Sequence, residues 1–385
     1  MTTPAKDRLI ELDVTRAVAL IGVVLMNYHG YLILDGGTVG TSSVNRLFDP
    51  WTGPLATRFA ATFVLVAGMG ITLLTNRSRR SGDRIARRRD RWTLIRRGTF
   101  LYAFGYVFNW IWPGTILFFY GAYFIVGALI FTLRTRWIAV IGATAAIAGA
   151  AIQWWAFEQR QDHHSTAWLF SPTGRSPRGL LFDTFVNGTH PLLPWLAFLC
   201  AGIILGRHLP LAITKLPMIV LGGFAVTLVT YGLTSSFGTT PLSKVLFATD
   251  PFSRSLDYTV GTVASSIAAF ALISMITDLS RRTRVTQGLA AAGRMTLTIY
   301  VLHGLVFNLL VHVLGWIRPT GLDTAVLFTV VFWVTSIVLA AWWQRHLGLG
   351  PMERIYRLFG GNDEPGAGSP RDQIDTPISA NVPSH

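Results

Sequence analysis

Long stretches of this chain carry no charge, and its arginines crowd into the gaps between them. A helix needs roughly 20 apolar residues to cross the hydrocarbon of a bilayer, and an arginine left within that hydrocarbon is costly. The alternation therefore admits membrane-crossing helices and little else. Candidate crossings fall near residues 14–34, 55–75, 95–112, 115–133, 137–157, 191–206, 215–234, 259–277, 294–314 and 323–343. Composition agrees: 14% of the 385 residues are charged, against about 25% in an ordinary soluble domain. Tryptophans such as Trp51, Trp110, Trp137, Trp155 and Trp342 stand near the ends of the apolar runs, where an amphipathic indole suits the membrane–water boundary. The expected fold is an all-α, polytopic membrane helix bundle of about ten transmembrane helices.

The connections test the topology. Lys6 and Arg8 precede the first run. Every second connection after that is basic: Arg77 to Arg97, Arg134 with Arg136, Arg207 with Lys215, and Arg281, Arg282 and Arg284. Arg345, Arg354 and Arg357 follow the last run. The alternate connections, 35–54, 158–190, 235–258 and 315–322, are less basic. Basic loops stay in the cytoplasm, so both ends are expected there, in a multi-pass protein of the cell membrane. This accounts for the net charge of +14 without invoking nucleic acid. The first run contains Arg16, Asn27 and His29 and has no small-residue cleavage site after it, so it reads as a retained helix rather than a signal peptide. Residues 1–360 form one membrane domain, and the Gly-, Pro- and Ser-rich stretch 361–385 reads as a disordered cytoplasmic tail. The single cysteine, Cys200, lies in an apolar run and excludes an intramolecular disulfide.

Polar groups within membrane helices are candidates for chemistry. The first helix is densest, with Asp13, Arg16, Asn27 and His29. Asn27 lies eleven residues after Arg16, about 16 Å along the axis and close to three turns, so the two share a face. Arg16 would sit near the cytoplasm and Asn27 and His29 deep toward the outside. Arg77 to Arg97 would suit a polyphosphate, which guanidinium binds in bidentate fashion. Arg96 and Arg97, at the expected start of the third helix, are the best placed of these. His303 lies within the ninth helix beside Gly304, which would admit a close backbone, and His190 precedes Pro191 at the outer mouth of the sixth. No zinc-protease, phosphate-loop or nucleophile-elbow motif is present, and no metal is expected.

Two stretches carry a resemblance. Leu12-Asp13-Val14-Thr15-Arg16-Ala17, followed by apolar residues and Asn27, resembles the first helix of the heparan-alpha-glucosaminide N-acetyltransferase catalytic domain family and of bacterial YeiB-like membrane proteins. Gly293-Arg294-Met295-Thr296-Leu297-Thr298-Ile299-Tyr300 resembles an element near the end of the YeiB-like proteins. Gly350-Pro351-Met352-Glu353 is similar to their ending, Ile95-Arg96-Arg97-Gly98 to their third helix, and Pro194 to Phe198 with Gly202 and Gly206 to their sixth. The resemblance implies a transmembrane acyltransferase. It would take an acyl group, with acetyl the expected one, from cytosolic acetyl-CoA or another acyl-CoA. The acceptor would be a hydroxyl or amine of an envelope glycan or glycolipid on the far side. Arg16, Arg96, Arg97 and Arg294 would hold CoA, and Asn27 would meet the thioester or the acceptor.

In the glucosaminide enzymes an asparagine stands at this place and a histidine follows in the next outer loop. Here the aligned segment, Arg46-Leu47-Phe48-Asp49-Pro50-Trp51, has no histidine. Ala17 replaces a usual glycine, and Thr115 stands where relatives often carry aspartate. The base then falls to His29, His303 or His190. His29 is nearest the outside. It diverges from Asn27 by about 200° on a continuous helix, so it meets the same substrate only if the helix breaks near Gly30. With that break, His29 is favoured over His303 by a small margin, and His190 ranks third. Two other classes fit the same residues: a transporter or flippase of an amphipathic solute, and a non-catalytic membrane protein whose polar groups only lock helices. The expected partners are the lipid bilayer and a glycan or glycolipid acceptor, and a homo-oligomer is compatible with the same chain.

The sidedness is directly testable. On a Cys200→Ala background, Ser165→Cys and Ser81→Cys are expected to label with an impermeant maleimide from opposite sides of the membrane. Labelling of both from outside would defeat the topology.

Overall fold

The computed structural model describes residues 9–170, 176–238 and 240–361. Lys6 and Arg8, and all of the expected tail but residue 361, lie outside them. Every regular element among the described residues is helical. The ten apolar runs appear in order as α1 (Ile10–Leu34), α2 (Arg58–Ser81), α3 (Arg84–Phe108), α4 (Leu117–Ile130), α5 (Thr135–Gln161), α6 (Leu192–Arg207), α7 (Leu216–Phe237), α8 (Leu256–Ser280), α9 (Thr296–Phe307) and α10 (Leu322–His346). A π-helical stretch, Asn308–Val313, prolongs α9. Short helices Arg284–Gly293 and Pro351–Phe359 precede α9 and follow α10.

Seven of these helices are individually long and apolar enough to cross a membrane: α1, α2, α5, α7, α8, α9 with its prolongation, and α10. A pair bent by 56°, Arg178–Asn187 with α6, would add an eighth. Length and hydropathy thus assign fewer crossings than the ten runs suggest, because α4 has only 14 residues and α3 devotes its first half to arginine.

That arginine is the main departure from the expected boundaries. Residues 76–94 do not form a loop. α2 runs to Ser81 and ends on Gly82, whose φ of +75° suits a residue without Cβ. Asp83 then caps α3 by accepting hydrogen bonds from the Ile85 and Ala86 amides. Arginine is a good helix former, so the helix begins well before the chain becomes apolar. Arg96 and Arg97 stand more than three turns into α3, not at its start.

Contacts between helix ends gather the basic segments at one end of the bundle. Arg281 pairs with Glu11 at 2.5 Å, Ser78 with Asp90, Arg91 with the Ala128 carbonyl, and Arg207 with the carbonyls of Phe131 and Leu133. Within the bundle α1 is central, touching α2, α8, α9, α10 and the helix Arg284–Gly293. A Cβ at Gly293 would overlap the Asp13 carbonyl, so the two sequence stretches that carry the family resemblance lie backbone against backbone. By contrast α7 packs on α8 and buries only 6% of its apolar window, as suits a helix facing lipid.

The helix Pro351–Phe359 ties the far end of the chain back to α9. The Glu353 carboxylate accepts from the Leu297 amide at 2.8 Å, the Thr298 amide at 3.1 Å and the Thr298 hydroxyl at 2.5 Å. These satisfy first-turn amides of α9 that have no partner within the helix. Burial raises the Glu353 carboxyl above its ordinary pKa, and the same hydrogen bonds oppose that shift. Glu353→Ala is expected to lower stability by about 1.5–3 kcal/mol, the scale of hydrogen bonds to a charged group, read as a fall in thermal midpoint of the purified protein. An unchanged midpoint would remove Glu353 as the anchor of α9.

Candidate functional site

Asn27 on α1 and His303 on α9 meet inside the bundle. Asn27 Nδ2 lies 3.1 Å from His303 Nε2, and His303 is fully buried. The rest of its hydrogen bonding settles which nitrogen carries the proton. His303 Nδ1 faces the Tyr300 carbonyl oxygen, which can only accept, so Nδ1 is the N–H nitrogen of the neutral ring. Nε2 then holds the lone pair and accepts from the Asn27 amide. A buried imidazole with its basic nitrogen turned toward a half-buried asparagine can take a proton from a hydroxyl or amine brought to that point.

Aromatic side chains fix the ring. Trp112 meets it edge-on at 5.0 Å between centroids, and Tyr300 lies at 4.7 Å. Tyr28 donates to the His303 carbonyl at 3.1 Å. Gly304 does admit a close neighbour, but this is the Trp112 indole rather than a backbone: a Cβ at 304 would sit 3.0 Å from it. Tyr300 is held in turn by the Thr115 hydroxyl at 3.1 Å and the Ile116 amide at 3.0 Å. Thr115, which departs from the relatives' aspartate, thus supports the histidine through Tyr300.

A polar track runs from this pair toward the arginine-rich end. The phenol of Tyr120 has Arg16, Tyr300 and Tyr356 as electrostatic neighbours, and its hydroxyl is buried without a hydrogen-bond partner among the described residues. Arg16 pairs with Asp13 at 3.1 Å and passes over Gly70. Arg97 stacks on the Tyr356 ring at 5.0 Å, and Arg96 is exposed beside Gly361. Arg294 donates to Gln344 at 2.7 Å.

The other histidines are held elsewhere. α1 stays helical through Gly30 to Leu34, so the break that would bring His29 round to the side of Asn27 does not occur. Gly30 instead packs on Pro50. His29 Nδ1 donates to the Phe48 carbonyl at 2.9 Å, in the very loop that lacks a histidine. His29 Nε2 is buried with no partner among the described residues. His190 sits between the rings of Phe119 and Trp195 and bonds to Thr189 at 2.8 Å. Thr189 reaches the Gly114 carbonyl, which places His190 next to the turn carrying Trp112. Sequence reasoning named Asn27 and His303 separately but missed Trp112, Tyr120, Tyr300 and Tyr356. Tyr300 lay within a quoted motif; Trp112 stands near the end of an apolar run like the other tryptophans, and Tyr120 and Tyr356 carry no signal of their own in the chain.

Two family comparisons match the chain. Residues 8–235 match the family described as heparan-alpha-glucosaminide N-acetyltransferase, catalytic. Residues 207–359 match a family described as protein of unknown function, DUF418. Asn27 lies in the first segment and His303 in the second, so the pair joins them. No curated protein matches the chain.

Gly304→Ala is expected to destabilise the protein by about 1–3 kcal/mol through the crowded indole, and Trp112→Leu in the same chain to relieve most of that added cost. A double-mutant cycle by thermal unfolding measures the coupling; additive effects would separate Gly304 from Trp112.

Proposed function

The chain belongs to the heparan-alpha-glucosaminide N-acetyltransferase catalytic family, and from that membership, together with the Asn27–His303 pair, we propose that it moves an acyl group, with acetyl the expected one, from acyl-CoA to a hydroxyl or amine of an envelope glycan or glycolipid. The family implies a membrane acetyltransferase-like activity; donor and acceptor are our reading. The observation that carries it is the 3.1 Å approach of His303 Nε2 to Asn27, the asparagine that the family resemblance places at the thioester or the acceptor.

His303 is the base. The acceptor O–H or N–H gives its proton to Nε2 as it attacks the thioester carbonyl. The Tyr300 carbonyl holds Nδ1–H and steadies the imidazolium that forms. Asn27 Nδ2, released from Nε2 by the acceptor, donates to the oxyanion of the tetrahedral intermediate. Collapse expels the CoA thiolate, which recovers the proton from Nε2. The donor enters from the arginine-rich end, with Arg96 and Arg97 at its phosphates and the thioester arm along Tyr120. Arg16 lies on that track, whereas Arg294, held by Gln344, supports helix packing. His29 and His190 position loops near the site. A transporter would need no lone pair poised on an asparagine, and this favours transfer over solute movement.

The test combines binding and turnover, using labelled acetyl-CoA and a membrane glycan extract as acceptor. His303→Ala is expected to lower transfer roughly 100-fold or more while retaining acetyl-CoA binding. Arg97→Ala is expected to weaken that binding by about tenfold or more, the scale of one charged hydrogen bond. His29→Ala should keep most of its turnover. Full transfer by a folded His303→Ala protein would sink the mechanism, and absence of acetyl-CoA binding by the unaltered protein would sink the activity.

A further inference from the structure

The first half of α3 carries a second feature that acyl transfer does not use. Arg84, Arg87, Arg88 and Arg91 line a cleft of about 530 Å³ with Trp92, Ile95 and Thr132. Residues 84, 88, 91 and 95 share one face of the helix. Arg97 projects from that axis about 150° away from their mean direction at 100° per residue, toward Tyr356 and the polar track. The cleft is therefore on the back of α3, away from the Asn27–His303 pair.

Among the described residues no acid pairs with these four arginines. Arg87 donates to the carbonyls of Ser78 and Arg79, and Arg91 donates to the Ala128 carbonyl while lying over the Phe131 ring. Carbonyls orient these guanidinium groups but do not neutralise them. The nearby acids are engaged elsewhere: Asp83 caps α3, and Asp90 accepts from Ser78 with Arg89 as its charged neighbour. Arg84 and Arg88 are exposed. Four like charges around one cleft favour an anion with several oxygens, which guanidinium groups bind as forks.

The position tells which anion. Thr132 lies two residues past the end of the apolar helix α4, so the cleft opens where hydrocarbon gives way to headgroups. Trp92, 50% exposed, has the amphipathic side chain of that boundary. Leu129 and Leu133, 60% and 37% exposed, flank Thr132 with apolar surface. A soluble phosphate ester would use the arginines and leave these leucines bare; a lipid with an anionic headgroup would use both. We propose that the cleft of Arg84, Arg87, Arg88 and Arg91 binds the phosphodiester headgroup of an anionic phospholipid, its acyl chains running along Leu129 and Leu133. Basic pockets between membrane helices recognise headgroups in this way.

Native mass spectrometry of the detergent-purified full chain tests this, with phosphatidylglycerol and phosphatidylcholine added in equal amounts. The unaltered protein is expected to retain phosphatidylglycerol in preference. Arg84→Gln with Arg88→Gln, at two exposed positions, is expected to reduce bound phosphatidylglycerol roughly fivefold or more and leave phosphatidylcholine unchanged. Adding Arg91→Gln deepens the loss, and Arg84→Lys with Arg88→Lys, which keeps the charge, restores part of it. Unchanged phosphatidylglycerol in the double variant, or an equal fall in both lipids, would overturn the proposal. So would displacement of phosphatidylglycerol by millimolar CoA or inorganic phosphate, which would assign the cleft to a soluble phosphate. None of these readouts depends on acyl transfer.

Discussion

A polar side chain within a membrane bundle finds no water and must meet its partner inside the protein. In this chain the demand is concentrated where α1 and α9 touch. Asn27 and His303 satisfy each other across 3.1 Å, and much of the surrounding structure serves to keep them there. Trp112 closes one side of the imidazole, Tyr300 another, and Thr115 with the Ile116 amide holds Tyr300. Glu353, more than fifty residues further along the chain, fixes the start of α9 and so the depth at which His303 lies.

The same logic orders the arginines into distinct roles. On the inner side of the bundle Arg16 pairs with Asp13 and Arg97 lies over the Tyr356 ring. They stand along a track that reaches Tyr300 through Tyr120. Those on the back of α3 pair with no acid among the described residues and gather about a cleft at the level of headgroups. One helix therefore presents two faces of like charge to two different surroundings. The composition of the segment from Arg77 to Arg97, dense in arginine throughout, conceals that division.

Much of the architecture was legible from the chain alone. Apolar runs separated by arginine announce a helical membrane bundle because hydrocarbon penalises charge and unpaired backbone alike. The order of the runs survives in α1 to α10. Boundaries did not survive equally well: hydropathy sees where lipid ends, whereas helix propensity and the Gly82-Asp83 caps decide where a helix ends, and these differ by more than ten residues at α3. The number of crossings has the same ambiguity, since α4 is short and the segment before α6 is bent.

Asn27 and His303 each stood out in the sequence as polar groups deep in apolar helices, and the family resemblance marked Asn27. Their meeting did not stand out, because they are separated by 276 residues and no periodicity relates one helix to another. A place nearest the outside argued for His29, but an unbroken α1 points it toward the Phe48 carbonyl. The tautomer of His303, by contrast, follows from a contact within α9 itself, since the oxygen that faces Nδ1 is the carbonyl of Tyr300 three residues earlier. What the sequence determined by itself was the membrane, the helices and the residue types available for chemistry, all of which depend on local hydropathy and charge. Which of those residues share a site was decided by helix packing, above all the close contact of Gly293 with the Asp13 backbone, because only packing sets the register between α1 and α9.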